Sequence, residues 1–185
     1  IAKKDIKDPK TNKNPIIVEG KDLYYNDATG AVYATGDVVI LQDPSKITSQ
    51  IVKGNTKTSD LWFEGSAVFT QPGLNITGTD GFYNYKNRNG TMQQAKGKAD
   101  KEFVSGKDIQ IYPDKLILED GSMTRCPAIV PDYRVTGDKI ELWPGDKMIA
   151  YNAKLWFKNT VIYSMPKYVR DLKQTESDFP RIGYD

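Results

Sequence analysis

Cys126, in the stretch Thr124-Arg125-Cys126-Pro127, is the single cysteine of a 185-residue chain that has no histidine. A thiol is a useful nucleophile only when it is reachable and its pKa is depressed. Without an imidazole the Ser-His and Cys-His systems are unavailable. One thiol cannot close an internal disulfide, and a metal site of clustered Cys and His is excluded. Cys126 reads first as an ordinary or buried thiol. Reactivity, or pairing with a cysteine outside this chain, are the other readings. Carboxylates are the remaining reactive groups. Asp80, Asp108, Asp114, Glu119 and Asp120 could in principle supply the acid pair of a glycosidase. Asp22, Asp80 and Asp108, however, occupy one position of a repeat, which suits solvated turn residues better. No phosphate-cradling glycine loop or EF-hand is present. No catalytic residue and no cofactor is expected.

The repeat is the main feature of the chain, and it sets the elements on which those residues stand. Val18-Glu19-Gly20-Lys21-Asp22-Leu23-Tyr24-Tyr25 returns as Ile76-Thr77-Gly78-Thr79-Asp80-Gly81-Phe82-Tyr83. It returns again from Val104 to Ile111 and from Val135 to Leu142, with a weaker copy at Ile47 to Val52. The copies start roughly 30 residues apart, a length typical of stacked repeat units. Each has a second arm centred on a small residue: Gly36, Gly65, Gly97, Gly121 and Ala153. Those arms alternate. Val32, Ala34, Gly36, Val38 and Ile40 share one face, as do Leu61, Phe63, Gly65, Ala67 and Phe69. In the fifth copy that face is expected to carry Ile149, Tyr151, Ala153, Leu155 and Phe157. Period-two alternation signals strands. Asn26 to Gly30, Lys86 to Gly90, Pro113 to Lys115 and Pro144 to Lys147 supply turn chemistry between them.

The expected fold is therefore all-β, an elongated open jelly roll or folded-over taco built from about five two-strand repeats. A two-strand unit cannot bury a face alone, so the units must stack and leave unpaired edges at the ends. Residues 1–14 read as an N-terminal arm, 15–165 as the repeat domain and 166–185 as a linker or tail. The balance of 26 Lys and Arg against 24 Asp and Glu gives no signal for nucleic acid. No apolar run is long enough to span a bilayer as a helix.

Two sets of residues carry a family resemblance. Val18 to Tyr25 followed by Ala34-Thr35-Gly36-Asp37-Val38-Val39-Ile40 resembles the repeat unit of the OstA-like lipopolysaccharide-transport family. Met123 to Cys126, Tyr133 to Leu142 and Ala150 to Pro166 resemble the end of the soluble domain in the member that continues into an outer-membrane β-barrel. Phe179 to Tyr184 resembles the approach to that barrel. The chain then reads as a piece of the longer member or as a standalone bridge protein.

The resemblance implies a periplasmic domain at the outer membrane of a diderm bacterium, carrying lipopolysaccharide. Acyl chains would lie inside, against Val32, Val38, Ile40, Leu61, Phe63, Phe69, Ile109, Ile111, Ile140, Leu142, Leu155 and Phe157. Implied partners are further OstA-like domains joined by edge-strand pairing, and the barrel with its lipoprotein plug. Cys126 matches a family position that can be disulfide-bonded to the barrel, for which this chain holds no partner.

Overall fold

The computed structural model describes residues 1–6 and 16–173. Among them there is no helix, and all thirteen strands join one antiparallel sheet. In chain order these are β1 (Ala2–Ile6), β2 (Ile16–Gly20), β3 (Asp22–Tyr25), β4 (Ala31–Gln42), β5 (Ser45–Asn55), β6 (Asp60–Gln71) and β7 (Leu74–Asn84). They continue as β8 (Asn89–Ala99), β9 (Glu102–Ile111), β10 (Leu116–Thr124), β11 (Tyr133–Trp143), β12 (Lys147–Phe157) and β13 (Thr160–Asp171). From β4 onward every strand pairs with the next in sequence. β2 and β3 lie end to end along β4, and β1 pairs with β2.

The sheet is folded over lengthwise. Tyr83 is registered with Leu61, roughly 27 Å from Phe69 along a straight strand. The Phe69 and Tyr83 rings nevertheless sit 6.0 Å apart, so the two halves of each strand face one another. The corner is written in the backbone. Gly36, Asp37, Gly65, Asp80, Gln94, Asp120 and Asn152 all have positive φ in mid-strand, and the ladder slips register beside several of them. Such bulges bend a strand sharply.

The corner explains the sequence motif. In β9, Glu102 and Val104 are buried before it and Ile109 and Ile111 after it. In β11 the buried set is Val135, Gly137, Ile140 and Leu142. The alternation advances by three at the corner instead of two, which is why two polar residues follow each repeat glycine. The second arms behave differently from strict alternation. Gly65 lies exposed on the corner. In β12 the slip at Asn152 puts Met148, Ala150, Ala153 and Leu155 inside, while Ile149 and Tyr151 face outward.

Two boundaries also differ from the expectation. β13 continues past Met165 through Pro166 to Asp171, and Leu172 is buried beyond it. The arm at 1–14 begins with a strand paired to β2. The approach at Phe179 to Tyr184 lies outside the described residues.

Candidate functional site

The folded sheet has two walls whose inner faces form one apolar cluster running from Ile16 to Leu172. Eleven of the twelve residues expected to face inward do so, each at 3% exposure or less: Val32, Val38, Ile40, Leu61, Phe63, Phe69, Ile109, Ile111, Ile140, Leu142 and Leu155. Phe157 is the exception. It is 40% exposed at the outer end of β12, its ring 5.3 Å from that of Tyr133. A register slip between Leu155 and Trp156 takes its side chain out of the interior phase that Ala153 and Leu155 keep. The alternate arms complete the lining with residues such as Ile76, Leu116, Leu118, Val135 and Met148. Their signal was the same apolar motif read through its three-residue step.

The free margins of the walls are two rims that meet across a mouth. One rim carries the turns at Asp43–Pro44, Pro72–Gly73 and Asp100–Lys101. The other carries the turns that follow Asn26, Asn55 and Asn84, then those at Pro113 and Pro144. Asn26, Asn55 and Asn84 accept paired bonds from backbone N–H groups two and three residues on, so one Asx turn is repeated at one repeat position. The amides of Asn55 and Asn84 then donate to the carbonyls of Thr29 and Thr58 in the preceding turns, at 3.3 and 3.1 Å.

Polar side chains close the mouth at separate places. The Tyr83 hydroxyl donates to Gln42 Oε1 at 2.9 Å, and Gln42 Nε2 donates to the Tyr85 carbonyl at 2.8 Å. Burial pushes the Tyr83 phenol up to about 12, partly opposed by the Arg88 charge. Arg88 donates to the Asp43 carbonyl at 2.9 Å. Further along, the buried carboxylate of Glu102 binds Arg125 Nε at 2.5 Å and the Arg170 guanidinium at 3.3 Å. Arg170 belongs to β13 and Glu102 opens β9, so this ion pair joins one rim to the other. At the N-terminal end the Lys4 ammonium lies 4.2 Å from the centre of the Tyr25 ring. No sequence signal announced the Gln42–Tyr83, Asp43–Arg88 and Glu102–Arg170 pairs, because each joins strands or turns that are several strands apart in the sheet.

The other candidates sit elsewhere. Cys126 is half-buried beside a cavity of about 400 Å³ that Phe103, Ile129 and Arg134 also line. Asp80 accepts a bond from the Gly65 amide at the corner, and Asp120 occupies the corner of β10. Asp114 lies in the β9–β10 turn. Asp108 and Glu119 are cross-strand neighbours on the outer surface, with Lys139 opposite Glu119 on its other side. None of these acids except Asp114 lines a cavity described here. Among the described residues no three His, Cys, Asp or Glu gather in a way that could hold a metal ion.

No family model matches the chain. LPS-assembly protein LptD of Aliivibrio fischeri is 24% identical over 187 aligned residues. That match covers 94% of this chain but 23% of the relative, so the chain spans about a quarter of that protein's length. Among solved structures, LptH of Pseudomonas aeruginosa, described as the LptA homologous periplasmic component of the lipopolysaccharide transport device, is 21% identical with a TM-score of 0.48. The likeness covers 54% of this chain and 77% of that one. In its sequence match to LptD, the chain is similar to the lipopolysaccharide-transport proteins that its repeat resembles.

Proposed function

We propose that this chain is a periplasmic lipid conduit that takes the acyl chains of lipopolysaccharide into its folded sheet and passes the lipid toward the outer membrane. The observation that carries the reading is the continuous apolar interior, from Ile16 in β2 to Leu155 in β12, between the two walls of the folded sheet. An acyl chain of about a dozen carbons gains on the order of 10 kcal/mol on leaving water, before entropic losses. The walls pack on each other in this structure, so that gain is set against the wall contacts the chain replaces.

The ends of the sheet support a relay. β13 is exposed on both faces, with Val161, Ile162, Tyr163 and Val169 all 37% exposed or more. β1 and β3 are the margins at the other end. Unpaired edges of this kind accept a strand from a neighbour. Further domains of the same fold, or an outer-membrane β-barrel with its lipoprotein plug, are the partners we assign to them.

Photo-crosslinking tests the reading. A photoreactive residue at Phe63 or Leu155 should capture lipopolysaccharide, and one at the outward-facing Trp62 should not. Failure at both interior positions with a folded protein sinks the proposal.

A further inference from the structure

The contacts that close the mouth are unevenly spread. Among the described residues, hydrogen bonds and ion pairs cross it at Gln42, Asp43, Tyr83 and Arg88, and then at Glu102 and Arg170. Between these two clasps the rims meet through prolines: Pro44 and Pro72 on one side, Pro113 and Pro144 on the other. Proline has no N–H, so it cannot donate a backbone bond across the gap. Two cavities open there. One, of about 270 Å³, runs between Pro44, Pro72 and Pro113 to the buried Phe69, Tyr83 and Ile111. The other, of about 200 Å³, runs between Gln71, Pro113 and Pro144 to Leu74 and Leu116.

Charges of both signs lie beside the gap. Arg88 lines the larger cavity and forms no ion pair among the described residues. Lys115 and Asp114 line the smaller one, where Lys115 lies 3.9 Å from Glu141. A guanidinium that binds only a carbonyl is free to take an anionic oxygen, and its planar fork suits phosphate.

We propose that this proline-lined gap between the clasps is a lateral portal, through which a lipid with an anionic head inserts its acyl chains while Arg88 holds the head outside. The proposal rests on the conduit reading above and adds where the lipid gets in. The two clasps keep the rims aligned on either side, and among the described residues no hydrogen bond or ion pair crosses the mouth between them. Loading from the ends of the sheet is the competing route.

The test locks the seam at chosen points in a Cys126→Ser background. A bismaleimide joins Pro72→Cys to Pro113→Cys across the portal in one variant. In the other it joins Asp100→Cys to Asp146→Cys, beside the Glu102 clasp. The probe is lipopolysaccharide with a fluorescent acyl label, presented in micelles, and the readout is the loading rate. The portal lock should slow loading by about tenfold or more, because the conformational step is removed, and the second lock should leave it within about twofold. Arg88→Gln should weaken uptake of this lipid by about tenfold relative to a neutral diacylglycerol of equal chain length loaded by the same variant. Equal loading of both locked proteins overturns the portal and leaves the conduit standing. If the unlocked protein takes up neither lipid, the conduit reading itself falls, and the portal with it.

Discussion

The side chains of most consequence are the few polar ones inside an apolar seam. Glu102 is 1% exposed and is bound by two arginines, each itself largely buried. Removing one partner of such a buried group leaves uncompensated charge in a low-dielectric site. Glu102→Ala is expected to cost about 3 kcal/mol, read as a fall in the urea midpoint without change of slope. Tyr83 predicts a pH effect. Its phenol sits at about 12 in the folded protein against the ordinary 10.0, chiefly because burial disfavours the phenolate. A group raised on folding gives stability that is full below its unfolded value and lost as pH rises through the folded one. Thermal stability should thus decline between about pH 10 and 12. Tyr83→Phe should flatten that decline, and an unchanged slope would assign it to other tyrosines.

At the level of strands, the corner and the turns do different work. Gly65 has φ of +75° and a side chain there would meet nothing within 4 Å. Gly65→Ala should therefore cost only the left-handed conformation, about 1–2 kcal/mol. A β-carbon at Gly97, by contrast, would collide with the Asn75 carbonyl in the neighbouring strand. Gly97→Ala should separate β7 from β8 locally, with a larger loss of stability and faster amide exchange in both strands. Hydrogen exchange on the two variants checks the contrast: equal protection in both would mean that the close approach is not needed. The two glycines look alike in the sequence, as centres of equivalent arms. Only the folded-over sheet shows that one faces open space and the other backbone.

For the molecule as a whole, the ends of the sheet matter most. β1 is short and carries Lys3, Lys4 and Asp5, residues that discourage edge pairing. β13 is longer and presents Val161, Ile162, Tyr163 and Val169 to solvent. This asymmetry predicts end-to-end association that starts from the β13 edge. Sedimentation should show oligomers growing with concentration, and Ile162→Lys with Val169→Lys should return the protein to monomer without loss of thermal stability. Persistence of the oligomers in that variant would place the contact elsewhere. The proline-lined seam and the β13 edge are separate surfaces, so one set of changes should leave the other activity intact.

The residue pattern alone determined a good deal. Apolar side chains at fixed offsets, with Asn, Gly and Pro between them, specify strands, turns and stacking, because burial of one strand face depends on local alternation. That is why eleven of the twelve inward positions were legible. The placement of Phe157 was not, because a register slip between Leu155 and Trp156 breaks the alternation just before it. The end of the domain was also misjudged at Pro166, since an edge strand tolerates the missing donor. The mouth was decided by tertiary structure alone. Gln42 with Tyr83, and Glu102 with Arg170, meet only because the sheet folds back on itself, and no local spacing records a contact between strands so far apart.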